Sequence, residues 1–463
     1  MGRPFRLRDP VHGFIQLHAD EVKLIDTPIF QRLRRIRQLA MASLVYPGAV
    51  HTRFDHSLGV CHVAGMLAEE LGLDSDEVRL VRLAALLHDL GHGPFSHVSE
   101  PLLERHADRS RLPAEQKKEK IHELITAHFI RTDPALAMRA GPARGEEIAH
   151  LLLAEFGQPA LKNIVSGPLD ADKQDYLLRD SRFCGVAYGL FDIHQLHRSL
   201  VLYGAEDHQQ LMIRPDGVHA TEQYVLAKYY LTTMVYRHRV RLITDQMIVR
   251  ALTLGIEVDQ IEQLRCLYFF DGSDEFFENY KQWDDERLLL ACTSAELAHT
   301  ACAQLMGRLL DRRLLKRVFL ARIGREEDSA LREVLGNLPK PEHSARRSEI
   351  ETEAARLLAK VTRQQVDKRF VIVHVFDIKS VRTTSRNDEA GILVATAPQP
   401  RPFEQESTLF ASINEEYDDQ FVEMYAPVEW ETHTARDRLL ETLRRPMEEL
   451  IRAACTGVKG ETL

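Results

Sequence analysis

The stretch from Asp74 to Gly91 constrains this chain more than any other. Asp74, Ser75, Asp76 and Glu77 supply a helix cap and an acidic first turn. Val78, Val81, Leu83, Leu86 and Leu87 then leave little polar face before Gly91 stops the helix, so it should be nearly buried. Yet this apolar helix runs out in His88 and Asp89. Burying an imidazole beside a carboxylate is costly unless the two are paired or bound to a metal ion. A divalent cation would satisfy both.

The surrounding segments read as helices as well. Asp26-Thr27-Pro28 is a helix start, with a capping side chain and a proline in the first turn, and Ile29, Leu33, Ile36 and Leu39 follow at helical spacing. Tyr46-Pro47-Gly48 breaks the chain. Over 55–71, Leu58, Val63, Met66 and Leu67 form an apolar stripe, and Gly59, Ala64 and Gly65 would let a neighbour approach closely. The charged stretch 102–120, with Pro113, reads as an exposed connection or lid before a helix carrying His122 and Glu123. Further helices are expected over 145–156, 169–182 and 222–254. After about residue 325 a charged helix over 346–360 leads to Phe370-Val371-Ile372-Val373-His374-Val375-Phe376, which has the composition of a buried strand, and Pro398-Gln399-Pro400-Arg401-Pro402 marks a loop. The expected fold is mainly α, with a helical core over 1–325 and a smaller α+β region over 326–463.

Composition narrows the function. With 463 residues, 44% of them apolar and 28% charged, the chain can build a core without disulfide or metal staples, which excludes a disordered protein or a small stapled scaffold. It has no run of 18 apolar residues and its start lacks a signal peptide's apolar segment, so a cytosolic protein is expected. Six scattered cysteines form no Cys-x-x-Cys pair, which argues against a disulfide framework or a thiolate zinc site. A net charge of −9 argues against bulk electrostatic coating of nucleic acid and leaves a local basic groove open. Seventeen of the 21 histidines precede residue 240, which points to a metal or acid–base site in that half.

Four segments hold polar residues that packing explains poorly: His51-Thr52-Arg53-Phe54-Asp55-His56, His88-Asp89-Leu90-Gly91-His92-Gly93-Pro94-Phe95-Ser96-His97, Ile121-His122-Glu123, and Asp170-Ala171-Asp172-Lys173-Gln174-Asp175-Tyr176. His56 alone reads best as a satisfied core histidine. His56, then His88-Asp89, then Asp172 on a capped helix is a much rarer coincidence. Nitrogen and oxygen ligands of this kind suit iron, manganese or zinc and leave positions for water and substrate. Asp172, Tyr176 and Asp180 stand at i, i+4 and i+8 and share a helix face. Arg53 could grip phosphate through its guanidinium fork or make a surface salt bridge. His122-Glu123 could be an imidazole oriented by a carboxylate or an exposed helix start.

These strings, together with Asp9-Pro10-Val11-His12-Gly13, Ile25-Asp26-Thr27-Pro28, Phe30-Gln31-Arg32-Leu33-Arg34 and Ser57-Leu58-Gly59-Val60, resemble the HD-domain phosphohydrolases, whose metal ligands follow the order His, His-Asp, Asp. The resemblance is to the deoxynucleoside triphosphate triphosphohydrolase branch, which includes bacterial dGTPase-like enzymes and a human dNTPase that couples a SAM domain to an HD domain. It is dense over residues 5 to about 245 and thin beyond. It implies His56, His88, Asp89 and Asp172 as ligands of manganese, iron or zinc, with magnesium accompanying the triphosphate. Arg53, His92, His97, His122, Glu123, Lys173 and Tyr176 match residues around the triphosphate and scissile bond, with His92, His97 and the His122-Glu123 pair as proton-transfer candidates. Gln38 and Leu39 match contacts to sugar and base, Tyr176 and Asp180 match those to the 3′-hydroxyl, and Tyr236 matches a base-side or sugar-side aromatic. Lys228 stands where the family often has arginine.

Asp26, Gln31, Arg34, His238 and Arg239 match regulatory nucleotide positions at subunit contacts, which implies a nucleotide activator and a homo-oligomer, dimer or tetramer. Ala40-Met41-Ala42 replaces a glycine run and Phe5 replaces a phosphate-binding lysine. No SAM domain is expected ahead of the core, because Asp9 already belongs to it. The implied activity releases deoxynucleoside and inorganic triphosphate, in dNTP-pool control or phage defence. Two other readings stay open: an HD phosphohydrolase acting on a nucleotide monophosphate, cyclic nucleotide or alarmone, and a non-catalytic nucleotide sensor or single-stranded nucleic-acid binder using Arg32, Arg34, Arg35 and Arg37.

Overall fold

The computed structural model describes residues 5–153, 159–205, 209–323, 329–379, 391–412 and 418–456, and helices predominate among them. The chain forms two compact units, each drawn from three stretches: Met1–His238, Glu262–Ala291 and Val381–Asn414 in the first, and Arg239–Ile261, Cys292–Ser380 and Glu415–Leu463 in the second. Among the described residues, no helix is long and apolar enough to cross a membrane.

The first unit opens with an antiparallel hairpin, Phe5–Asp9 against Gly13–Leu17. Its functional frame is six helices: α1 (Arg53–Glu70), α2 (Ser75–Leu87), α3 (Glu100–His106), α4 (Ile121–Thr132), α5 (Ala171–Cys184) and α6 (Val218–Leu231). Local chemistry starts and stops them. Asp55 accepts the Thr52 amide at 2.9 Å at the head of α1. Asp74 accepts the amides of Asp76 and Glu77 at 2.8 and 2.9 Å at the head of α2, and Asp170 accepts that of Lys173 at 2.7 Å in α5. Gly185, at φ +70°, ends α5 in the left-handed conformation. As its composition demands, α2 is buried from Val81 to Leu87. The polar exception is Arg82, whose guanidinium meets Glu21 at 2.6 and 2.8 Å. Gly65 makes room for that arginine, and Gly59 makes room for Asp175 and Arg179 of α5.

Several expected helices are shorter or broken. The one capped by Thr27 spans only Pro28–Gln31, tightens over Arg32–Arg35 and gives way to extended chain, where Arg37 pairs with Thr52. Tertiary partners claim this backbone: the Arg37 amide donates to Asp285 at 3.0 Å. The 222–254 helix is interrupted at Thr232–Tyr236, where the Arg237 amide reaches the Thr232 carbonyl one residue beyond α-helical register. The stretch 102–120 begins inside α3, with Leu102 and Leu103 buried, before two exposed short turns. The helix expected over 145–156 runs Pro142–Leu153, and its last three expected residues lie outside the described residues.

In the second unit, the strands Lys316–Ile323 and Ile372–Lys379 flank Asp418–Ala426 in an antiparallel sheet. Helices Ser344–Thr362 and His433–Thr456 contribute Ile350, Leu358, Leu443 and Met447 to a core with Val318, Val373, Val422 and Met424. This sheet begins at Lys316, ahead of the change in character at residue 325.

Candidate active site

The first turn of α1 presents Arg53 and His56, the exit of α2 presents His88 and Asp89, and the first turn of α5 presents Asp172. One donor atom from each of His56, His88 and Asp172 lies within 4.8 Å of the others. His56 Nε2 is 2.9 Å from Asp172 Oδ1 and 3.8 Å from Asp89 Oδ2. His88 Nε2 is 3.1 Å from Asp89 Oδ1 and 3.8 Å from Asp172 Oδ1. His88 Nδ1 donates to the Ala85 carbonyl at 2.7 Å, which turns Nε2 toward the two carboxylates, and against the pull of burial these raise the His88 pKa well above its ordinary value. That buried Nε2 has no hydrogen-bond partner among the described residues. A buried imidazole nitrogen gathered with a second imidazole and two carboxylates is a donor set that suits a divalent metal, so these residues fit manganese, iron or zinc. Burial opposes charging of His56, yet the Asp172 and Asp175 carboxylates outweigh it and hold its pKa up at about 9. Burial likewise works against ionised Asp89 and Asp172, but Arg53 and His88 keep the first, and His56 and His88 the second, well below the usual carboxylate range.

Behind His56 stands a fully buried network whose role sequence reasoning missed. Asp175 Oδ2 accepts from His56 Nδ1 at 2.8 Å, which directs Nε2 toward the metal position. Asp175 is itself held by His12 Nε2 at 2.6 Å and by Arg179 at 2.8 and 3.0 Å, and Arg179 reaches Asp9 at 2.9 Å. The turn of the N-terminal hairpin thus braces a candidate metal ligand. The available signal was the i, i+4 spacing of Asp175 and Arg179 within a string already singled out.

The metal cluster opens into a cavity of about 220 Å³ whose wall includes Gln38, Arg53, His92, His122, Lys173 and Tyr176. Arg53 is buried: it donates to Asp89 at 2.8 Å and Ser96 Oγ at 3.0 Å, and its Nη2 has no hydrogen-bond partner among the described residues. Gln38 is buried and its Oε1 is likewise unpartnered. Lys173 donates to the Gly167 carbonyl at 2.9 Å and to Asp170 at 2.7 Å. His92 and His122 stack at 4.4 Å. Their shared carboxylate is Glu100, which sequence reasoning missed. It lies 2.6 Å from His92 Nδ1, 3.0 Å from His97 Nδ1 and 3.7 Å from His122 Nδ1. Glu123, also on the wall, pairs with Lys120 at 3.5 Å, so the carboxylate beside His122 is that of Glu100. His97, 66% exposed, stands at the rim. Burial, reinforced by the nearby His92 charge, pushes the His122 pKa well down.

Leu39, Asp180, Lys228 and Tyr236 are not among the wall residues. Leu39 is buried and Lys228 half-buried on α6. Asp180 accepts from Tyr236 Oη at 2.5 Å and meets His51 Nε2 at 2.8 Å, and the Tyr236 ring lies 6.3 Å from that of Tyr176. The loop after Asp89 is fixed from outside. Phe95 and Ser96 hold positive φ values of 61° and 51°. Asp285 accepts the Phe95 amide at 2.7 Å. Arg32 donates to the carbonyls of Trp283, Leu90 and His92. Arg32 is therefore buried and unavailable to a nucleic-acid backbone, which removes it from the basic stripe.

Among the regulatory candidates, Asp26 is exposed, Gln31 donates to the Ile25 carbonyl and accepts from Arg34 at 2.8 Å, and Arg34 stacks over Phe54 at 3.5 Å. The His238 ring packs 5.6 Å from Tyr46, and Arg239 is exposed at the head of the second unit's helix Arg239–Glu257.

Residues 53–179 match the HD domain family and residues 191–444 match the HD associated region. The chain is an HD-domain protein with an HD associated region. This HD-domain protein is 34% identical over 256 residues to the uncharacterized protein MJ1154 of Methanocaldococcus jannaschii, covering 55% of this chain and 51% of that one. It is 29% identical over 337 residues to the deoxynucleoside triphosphate triphosphohydrolase SAMHD1 of Gallus gallus, covering 66% and 55%. The chain spans about half the length of the curated relatives it matches. The crystal structure of a hypothetical protein from Aquifex aeolicus superposes with a TM-score of 0.68 at 25% identity, covering 96% of this chain and 100% of that one.

Proposed function

We propose that this HD-domain protein is a metal-dependent dNTP triphosphohydrolase, in which water displaces the 5′-oxygen from the α-phosphorus and releases deoxynucleoside and inorganic triphosphate. The observation that carries the reading is one cavity wall combining His88, Asp89 and Asp172, with His56 clustered behind them, and the unpartnered guanidinium nitrogen of Arg53. When bound, a divalent ion supplies Lewis-acid polarisation of the α-phosphate and acidifies water. Arg53 and Lys173 neutralise the triphosphate. Glu100, within reach of His92, His97 and His122, stabilises imidazolium on any of them, and this cluster delivers the proton to the leaving 5′-oxygen. Tyr176 closes the sugar side, with Asp180 and Tyr236 behind it. The relatives named for dNTP hydrolysis support this substrate class.

The test is chromatography of products from each dNTP with Mn or Mg supplied. Free triphosphate is expected, and pyrophosphate or orthophosphate would instead mark an HD phosphohydrolase of another specificity. His88→Ala with Asp89→Ala should abolish turnover. The homo-oligomer and its nucleotide activator belong to the same reading, motivated by exposed Asp26 and by Arg34 on Phe54. Light scattering of wild type and Arg34→Ala, with and without dNTPs, should show a nucleotide-favoured oligomer in the wild type alone.

A further inference from the structure

A second cavity, of about 470 Å³, lies in the first unit. That volume is in the range of small-molecule sites. From α4 it takes Leu124, Ala127, His128 and Arg131, the i, i+3, i+4, i+7 pattern of one helix face, whereas His122, Glu123 and Thr126 on the other face line the metal cavity. Opposite α4 stand Gln116 and Phe277.

Three features of this wall point to a ligand. The His128 ring stacks on the Phe277 ring at 3.4 Å and 7°, so the two line the cavity as one aromatic block, and the His128 nitrogens make no hydrogen bond among the described residues. Burial lowers the His128 pKa, so the ring is neutral near pH 7 and its polar edge can donate or accept. The Gln116 carboxamide also lines the cavity and makes no hydrogen bond among the described residues. Two guanidiniums complete it: Arg131 pairs with half-exposed Glu146 at 3.0 Å, and Arg111 with Asp108 and Asp271 at 3.3 and 3.4 Å. The well-exposed Arg111 pairs exchange for another anion at little cost, and Arg131 adds a second cation beside Glu146. Asp271 is committed to its own turn, accepting the Ser273 amide and hydroxyl at 3.0 and 2.7 Å.

We propose that this cavity is a nucleoside monophosphate site: the base packs against the stacked His128–Phe277 pair, its edge bonds Gln116, and the phosphate is shared by Arg111 and Arg131. Occupancy bears on the metal centre through α4, because Thr126 Oγ1 accepts the Gly91 amide at 2.9 Å and lies 3.2 Å from the His88 carbonyl. Any such coupling is reciprocal.

Isothermal titration of the full-length protein with the ribo- and deoxyribonucleoside monophosphates, and with inorganic phosphate, tests this. At least one monophosphate should bind more tightly than phosphate. His128→Leu and Arg131→Gln should each weaken it about ten-fold or more, the loss of one stacked or charge-assisted contact, and Arg53→Gln in the metal cavity should leave it unchanged. If His128→Leu does not fold, Gln116→Ala is read in its place. No saturation below about 1 mM, equal affinity for bare phosphate, or binding lost in Arg53→Gln but kept in the other two would each overturn the proposal. None of these outcomes touches the product assay for the metal site.

Discussion

Asp175 accepts from His56 on one oxygen and from His12 on the other, with Arg179 reaching both. This makes it the residue on which His56's orientation depends. Asp175→Asn keeps the shape and removes the charge, so metal affinity should fall about 10–100-fold. Titrating Mn into chelator-treated protein reads that loss, and the melting midpoint of the metal-free variant separates it from general destabilisation. His88 and Asp89 were legible as candidate metal ligands because an imidazole and a carboxylate interrupt an apolar helix, where nothing but pairing or metal tolerates them. Asp175 and Glu100 were not. Each is a carboxylate among other polar residues, the pattern of a solvated helix face, and each gathers partners from other elements: His56 lies 119 residues from Asp175, and Glu100 meets His92 and His122 as well as its neighbour His97.

Helices follow the same division. The caps at Asp74 and Asp170 act within one turn and were readable as such. The early end of the Thr27-capped helix was not, because Arg32 and Arg37 are claimed by Trp283 and Asp285 from about 250 residues away. Gly59 links the scales: a Cβ there would strike Asp175 Oδ1 and Arg179 Nη2, side chains pinned by their own ion pairs and unable to yield. Gly59→Ala should therefore destabilise by about 1–3 kcal/mol, the usual cost of overpacking, and weaken metal binding as well, whereas an alanine elsewhere in an α-helix normally helps. Denaturant unfolding with and without Mn checks both.

At the scale of the molecule, two histidines, half-buried His62 and buried His197, are held uncharged. Burial, with the His12 charge added, pushes His62 down to about 4, and burial, with His194 added, does the same for His197. In the unfolded chain each titrates near about 6.5. Between those values the unfolded state binds protons that the folded state refuses, so stability falls as pH drops from about 6.5 to about 4, with a slope approaching about 1.4 kcal/mol per pH unit for each histidine. His62→Gln should remove one of these contributions, and urea unfolding at pH 7, 6 and 5 should show the variant losing less stability than the wild type.

What the sequence by itself determined was the predominance of helix and the later sheet, because hydrophobic period and capping chemistry are local properties, and it singled out His88 and Asp89 as a costly pair in an apolar helix. Tertiary structure alone decided the rest. It assembled a compact unit from the separate stretches Met1–His238, Glu262–Ala291 and Val381–Asn414, placed Glu100 between three histidines, and set the hairpin turn behind His56. Apart from the neighbouring His97–Glu100 pair, those contacts join residues too far apart to leave a periodic trace, and burial makes them strong only once the surrounding elements have excluded water.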